Sequence, residues 1–197
     1  AASPFLLGGR PTIGDWGLIA PLYAHLARDP YPAQMMKQTA FRVWRWVERM
    51  NAPDQDAGEY GVSPEVLFES DGVPDTLKNL LRFVAEDYLP EIHAFVGFTN
   101  QWLTEHPDIV SGTNGLPRPQ DRGLGTVEFN WRGHMIRVGV MPYRLFLLQK
   151  IQGLADAVAP AARRAIDGLL AETGLSELLT LRATRQVARQ NHLEVWV

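Results

Sequence analysis

The most informative stretch of this sequence is Phe5-Leu6-Leu7-Gly8-Gly9-Arg10-Pro11-Thr12-Ile13-Gly14-Asp15-Trp16-Gly17-Leu18. It reads as an apolar approach, a Gly-Gly turn and the start of a helix. Thr12 takes the N-cap position and Asp15 follows three residues later, which is a capping box with Asp where Glu or Gln is more common. The Thr12 hydroxyl can then accept the amide of Asp15, and the Asp15 carboxylate can accept the amide of Thr12. The pattern predicts a structural role for both residues, with the loss of Thr12 costing about 1 kcal/mol.

The longer string Phe-Leu-x-Gly-x-x-Pro-Thr-x-x-Asp, followed by an aromatic residue and an apolar helix, resembles a known family. It is similar to the entry of the central helix in the C-terminal half of glutathione transferases. The resemblance covers residues 5–26 well and residues 35–50 more loosely, with a faint likeness to bacterial members over residues 137–152. It implies a glutathione transferase C-terminal-like helical bundle in which the helix after Thr12 is the buried axis.

The same resemblance implies a function. This half of a transferase lines the pocket for a small hydrophobic electrophile, to which the glutathione thiolate is conjugated. In the family, glutathione and the group that activates its thiol are held mainly by an N-terminal thioredoxin-like domain, and this sequence contains no leading βαβ pattern of that kind. The resemblance therefore implies a homodimeric enzyme that works only together with a thioredoxin-like half, and the catalytic residue stays unknown. The alternative is a non-catalytic helical module that binds other proteins.

Composition restricts the remaining classes of function. The chain has 197 residues, of which 46% are hydrophobic and 21% charged, as in ordinary globular proteins that bury a core. A net charge of −3 argues against binding nucleic acid through its phosphates. The absence of cysteine excludes disulfides and thiolate metal sites. No apolar run is long enough to span a bilayer, so we expect a cytoplasmic protein without membrane contact.

Apolar residues recur at helical spacing over most of the chain, which predicts a mainly α fold. Pro90 is expected to kink or divide the longest helix near Leu89. Residues 1–50 are assigned to the core helices of the bundle, and residues 51–197 to the remainder of the same domain or to a C-terminal extension. The predicted helices span residues 15–28, 33–50, 75–106, 142–158 and 160–173.

The segments between these helices have other patterns. Apolar residues alternate on both sides of Arg132-Gly133, which predicts one short β-hairpin at about 126–140. Residues 51–72 read as a loop with one helical turn near 64–68, and residues 107–125 read as a second loop. The last five residues are expected to dock as an extended segment.

The order of the helices differs from that of the family. A transferase core helix packs against two long helices that precede it, whereas here the longest helical pattern, at 75–106, follows it. Two explanations stay open: the chain is a fragment whose partner helices are missing, or the later helix occupies their place.

One polar cluster is the best candidate for substrate binding: Arg137, Tyr143, Arg144 and Gln149. Pro142 begins a helix directly after a strand, which would bring Arg137 and Tyr143 to one pocket, and amides at a helix start favour an anion. The functional interpretation is a pocket for an acidic or electrophilic substrate with Tyr143 as donor. The structural interpretation, which we favour, pairs the arginines with Glu128 or Asp156 and packs the tyrosine in the core.

The histidines give no metal signal. None of the five shows paired ligand spacing such as His-x-x-x-His, so no metal site is expected. They are His25, His93, His106, His134 and His192.

Overall fold

The computed structural model describes residues 3–52, 58–61 and 65–197, except for the side chain of Glu59. Within these residues the chain forms six α-helices and two antiparallel β-hairpins, so the predicted mainly α class is confirmed. The chain divides into two compact units, Ala1–Lys78 and Asn79–Val197, called here the N-terminal and C-terminal units. No helix among the described residues has both the length and the apolar character needed to cross a membrane.

The N-terminal unit begins with a short extended segment before its first helix. Gly8 forms isolated β-bridges with Phe5 and Leu67, and the amide of Gly9 donates to the carbonyl of Val66 at 2.8 Å. The φ angle of Gly8 is +135°, and a Cβ there would lie 2.6 Å from the carbonyl oxygen of Val66. Glycine is therefore required at this position of the predicted Gly-Gly turn.

The second strand of that pairing lies where a helical turn was expected. Residues 65–68 are not helical, and residue 64 lies outside the described residues. The expected turn is therefore wrong for residues 65–68, because their backbone is used in pairing with residues 7–9.

Three α-helices follow in the N-terminal unit. They are α1 (Ile13–Pro21), α2 (Pro30–Thr39) and α3 (Phe41–Met50). Pro21 cannot donate a backbone hydrogen bond, and the chain continues directly after it as a π-helical turn, Leu22–Leu26, closed by Ala27 N donating to Leu22 O at 2.7 Å. The single helix predicted over 33–50 is wrong, because Ala40 leaves the helical region at φ −136° and ψ 48° and separates α2 from α3.

The expectation that α1 forms a buried axis is also wrong. Asp15 is its buried residue, whereas Ile13 is 91% exposed and Trp16 54% exposed. The buried apolar residues of this unit lie instead at Phe5, on α2 at Ala33 and Met36, and on α3 at Val47 and Met50. A helix is buried only if other elements cover its apolar residues, and spacing alone does not supply those elements.

The C-terminal unit is built around one long helix, α4 (Asp75–Glu105), which begins four residues before the unit does. The helix continues through Pro90, so of the two predicted effects near Leu89, a kink or a division, the division does not occur. The other elements are β1 (Gly125–Trp131), β2 (His134–Val140), α5 (Pro142–Ala157), α6 (Pro160–Thr173), β3 (Val187–Gln190) and β4 (Leu193–Trp196).

The hydrophobic core of this unit joins the C-terminal half of α4 to α5 and the two hairpins. Its buried members are Ile92, Phe95, Val96, Trp102, Leu103, Leu124, Val140, Leu145, Leu148, Val187 and Trp196. Gln152, buried on α5, donates to the carbonyls of Leu178 and Leu181 and so fixes the short 3₁₀ helix Ser176–Leu179 beside it. These contacts position α5 against the end of the chain.

The hairpin of β1 and β2 is confirmed. Its register pairs Gly125 with Val140 and Trp131 with His134, so the turn consists of Arg132 and Gly133. Both have positive φ, at 50° and 85°, which is the requirement of a type I′ turn.

The C-terminal tail forms a second hairpin, β3 with β4, that the sequence did not predict. Gln190 pairs with Leu193, and Asn191 and His192 take positive φ in the two-residue turn between them. The usual signal for such a turn is Asn-Gly, and a non-glycine second residue hides it.

The loop between α4 and β1 is fastened to this second hairpin. Gly112 donates to Trp196 O and the amide of Trp196 donates to Thr113 O, each at 2.8 Å, while the Trp196 indole donates to Asn114 O at 3.0 Å. The loop thus continues the hydrogen-bonding pattern of β4 on its open edge.

Candidate functional site

The capping box predicted at the start of α1 is present. Both of its contacts link Thr12 and Asp15. The Asp15 carboxylate accepts the Thr12 amide at 2.9 Å and the Thr12 hydroxyl at 2.8 Å, and its other oxygen accepts the amide of Leu6 at 3.0 Å. With no exposed surface, Asp15 ties the apolar approach to the helix start. No cleft exposes this carboxylate, and its role is structural.

Arg49, on α3, reinforces the same region of the N-terminal unit. Its guanidinium is buried and donates to the carbonyl of Pro4 at 2.9 Å, above the rings of Phe5 and Tyr60. The extended segment that carries the box is therefore held from both ends.

The N-terminal unit has several large apolar side chains that are exposed. Large hydrophobic side chains that are more than a third exposed occur on all three helices and on the π-helical turn: Ile13, Trp16, Leu26, Tyr31, Met35, Phe41 and Val43. Single exposed hydrophobic residues are normal, but several on consecutive short helices are typical of surfaces that bind a ligand or another protein.

Two of the four residues of the predicted polar cluster are used elsewhere. Arg137 pairs with Glu128 across the first hairpin at 2.7 Å, and both are exposed. Arg144 forms a two-pronged ion pair with Glu91 of α4, with its guanidinium over the ring of Phe95 at 4.7 Å. The predicted pairing of Arg137 with Glu128 is confirmed. Asp156 is not the partner of Arg144, because Arg163 and Arg182 hold it.

The ion pair of Arg144 and Glu91 lies beside the phenol of Tyr88. Burial, which disfavours the phenolate, raises the pKa of Tyr88, and the nearby Arg144 charge offsets part of that rise. The hydrogen bond from Arg144 to Glu91 raises the pKa of the guanidinium further above its ordinary value. Tyr88 is thus kept protonated, as expected of a structural rather than a nucleophilic phenol.

Tyr143 and Gln149 face the second hairpin. Gln149 Oε1 accepts the amide of Val187 at 3.0 Å, and its Nε2 donates to Arg185 O at 3.4 Å, which aligns β3 along α5. Two residues further on, Arg189 lies over the Tyr143 ring at 5.2 Å. Tyr143 is therefore accompanied by an arginine, but by Arg189 and not by Arg137.

Arg189 belongs to a polar cluster that the sequence analysis missed. Its centre is Glu194 on β4, whose side chain is 2% exposed. Arg122 binds the carboxylate through two nitrogens, with Nε at 2.9 Å and Nη2 at 2.7 Å from the two oxygens, and Arg189 Nε lies 3.3 Å from one of them. The sequence carried no strand signal here, because Val187-Ala188-Arg189-Gln190 does not alternate between apolar and polar residues. Without the hairpin, Glu194 could not be paired with Arg189.

Arg122 is positioned by the loop that precedes β1. The side-chain Nδ2 of Asn114 donates to the backbone carbonyls of Arg118, Pro119 and Asp121, and these bonds hold the two ends of the loop together. Asn114 O also accepts the Trp196 indole N–H, so the loop and β4 are fixed together. This arrangement places Arg122 within hydrogen-bonding distance of Glu194.

A shallow cavity of about 430 Å³ lies at the C-terminal end of α4. His106 and Asp108 line it, together with Ile109 and Thr113. The His106 ring stacks on Trp102 at 4.3 Å, and its Nδ1 contacts Trp102 O at 2.8 Å. Across the described ranges, no three His, Asp or Glu side chains are grouped so that they could hold a metal ion.

Comparison with known proteins adds no assignment. No protein-family model, no curated protein and no solved structure matches this chain.

Proposed function

We propose that this chain contains the hydrophobic-substrate-binding half of a glutathione transferase-like protein, with the bundle of that family represented in its N-terminal unit. It conjugates the thiolate of glutathione to a small hydrophobic electrophile. A thioredoxin-like half supplies the glutathione site and the group that activates the thiol. The assembly is a homodimer, as the resemblance implies.

The observation that most strongly supports this proposal is the buried Asp15. The resemblance rests on a motif from Phe5 to Asp15, and the contacts of Asp15 join three parts of that motif: the apolar approach at Leu6, the cap at Thr12 and the first turn of α1. A Thr-x-x-Asp sequence that occurs by chance at a helix start needs only the contacts between Thr12 and Asp15 to form a capping box. The additional bond to the Leu6 amide makes the whole motif one folded unit, which supports the proposal.

The exposed apolar side chains of the N-terminal unit give the second support for the proposal. A hydrophobic electrophile needs apolar contacts for binding, and Trp16 and Ile13 on α1 offer them next to the anchored helix start. Catalysis in such a protein works by lowering the pKa of the bound thiol with a donor aimed at sulfur. We assign no such donor in this chain.

The test is conjugation by the full encoded protein, expressed as the wild type and as variants. Glutathione and 1-chloro-2,4-dinitrobenzene should react faster than without enzyme, with saturation in both substrates. Trp16→Ser should raise KM for the electrophile about tenfold and leave KM for glutathione unchanged, because an apolar contact is lost. Trp131→Ser, at an exposed position of the first hairpin, is the matched control and should change neither constant. The proposal fails if no saturable rate appears and S-hexylglutathione does not bind.

A second candidate is a non-catalytic module that associates through the same exposed apolar side chains. The observation that favours it is the extent of exposed apolar surface on α1, α2 and α3. In that case a second copy of the chain covers the surface, and sedimentation velocity should show a dimer that Trp16→Ser dissociates. Conjugation and binding of S-hexylglutathione should both be absent.

A further inference from the structure

The cluster around Glu194 carries more positive than negative charge. Two guanidinium groups, those of Arg122 and Arg189, contact one buried carboxylate. Over the described ranges, Glu194 is the one carboxylate that either of them contacts. The cluster therefore retains one positive charge, in a chain whose net charge is −3.

The two arginines hold this charge in a fixed orientation. Arg122 uses Nε and Nη2 for Glu194, and Arg189 uses Nε for Glu194 and Nη2 for the carbonyl of His192 at 3.2 Å. Among the residues that the structure describes, none accepts a hydrogen bond from the Nη1 group of either arginine. The Arg122 and Arg189 side chains are 40% and 36% exposed, so a solute can reach them although Glu194 is covered.

Tyr143 adds a third restraint. Its ring lies 5.2 Å from the centre of the Arg189 guanidinium, a cation–π contact that limits the orientations of this group. Arginine groups already held by other contacts lose little entropy when they bind an anion, and their planar forks match carboxylate and phosphate oxygens.

We propose that Arg122 and Arg189, oriented by Glu194 and Tyr143, bind a small oxyanion, that is, the carboxylate or phosphate group of a solute. The anion lies against the outer edges of the two guanidinium groups and neutralises the retained charge. This proposal does not depend on the transferase assignment, because it is argued from the contacts of Arg122, Arg189 and Glu194 and uses nothing of the motif from Phe5 to Asp15.

The test follows the arginine Nε–Hε resonances by NMR during titration with inorganic phosphate and, separately, with succinate, at constant ionic strength set with sodium chloride. The Arg122 and Arg189 signals should shift together and saturate with one dissociation constant. The Arg137 signal reports an exposed arginine already paired with Glu128 and should not follow that curve. The titrant that saturates at the lower concentration identifies the preferred group.

Arg189→Gln provides the decisive variant. The bond from Arg122 to Glu194 is retained in it, so the fold should persist, and the Arg122 resonance verifies this. Binding should become about tenfold weaker because one charge-assisted donor is lost. The matched control Arg137→Gln should bind as the wild type does. Shifts that are linear and equal at all three arginines, or an Arg189→Gln variant that binds normally, would overturn the proposal.

Discussion

Helix α1 and the C-terminal half of α4 differ in whether their apolar residues are buried. On α1 the polar Asp15 is buried, while Ile13 and Trp16 face outward. On α4 the apolar residues Ile92 and Phe95 are 1% and 0% exposed and form the centre of a core. Both helices show apolar residues at helical spacing in the sequence.

The difference separates two sources of helix stability. The start of α1 is fixed by short-range hydrogen bonds that need partners only within ten residues, as the bonds of Asp15 to Leu6 and Thr12 show. Most of the stability of α4 must come from elements distant in sequence, among them α5 and β4. Exposed apolar residues also occur on α4 and α5, but those of α1 lie beside the anchored helix start, and they are the ones that we propose as a binding surface.

The largest expected effect is truncation in the core of α4. Phe95→Ala should cost about 3–5 kcal/mol of stability, because a fully buried ring is replaced by a cavity. Ile13→Ala on α1 should change stability by less than about 0.5 kcal/mol, because the side chain is already in solvent. Urea unfolding followed by tryptophan fluorescence measures both. Equal costs would erase the contrast between the helices.

The next effect is expected at the anchored end of α1. Asp15→Ala should cost about 2–3 kcal/mol, since it leaves the amides of Leu6 and Thr12 without their acceptor. Thr12→Ser keeps a hydroxyl and should cost little, whereas Thr12→Ala should cost about 1 kcal/mol. Circular dichroism during denaturation measures the series. A neutral Asp15→Ala would mean that the box does not organise the unit.

The stability lost on breaking an ion pair in the C-terminal unit should also depend on how far the pair is buried. Arg122→Ala should cost about 2 kcal/mol, because it leaves the covered Glu194 carboxylate with a single weak partner, and part of the arginine is in solvent. Arg137→Ala removes an exposed pair and should cost under about 1 kcal/mol. The two thermal midpoints, taken in one buffer, provide the comparison, and an equal or reversed order would contradict it.

The smallest effect concerns alkaline pH. Burial raises the pKa of Tyr88 above its ordinary value of 10.0, so above that pH the unfolded chain releases a proton that the folded chain keeps. The stabilising contribution is present below pH 10 and is lost as the pH rises beyond it. Tyr88→Phe should therefore flatten the fall in stability above pH 10, measured by urea unfolding at pH 8 to 11. Tyr31→Phe, at an exposed position in the N-terminal unit, is the control and should leave the slope unchanged.

Local signals predicted local structure well. The box at Thr12 and the Arg132-Gly133 turn each depend on a few adjacent residues, and both are present. The break at Ala40 was missed because alanine carries no signal for a helix end. The β3–β4 hairpin was missed because its turn lacks glycine.

Sites that join distant segments could not be predicted in this way. Arg122 and Glu194 are 72 residues apart, and their pairing depends on a loop docking beside β4. Arg137 and Tyr143 are close in sequence but point to different partners, Glu128 and Arg189. The spacing identified Tyr143 and Gln149 as residues near one surface but could not supply the second hairpin that forms it.

Amide hydrogen exchange on the 197-residue chain tests most directly whether α1 is anchored only at its start. We predict that amides of α4 between Ile92 and Leu103 exchange at least about 100-fold more slowly than those of α1 after Trp16, because only the former lie under a core. The amides of Leu6 and Thr12, bound to Asp15, should be protected relative to the amides of α1 after Trp16. Protection of α1 along its whole length, equal to that of α4, would contradict the proposal that its apolar residues form an uncovered binding surface.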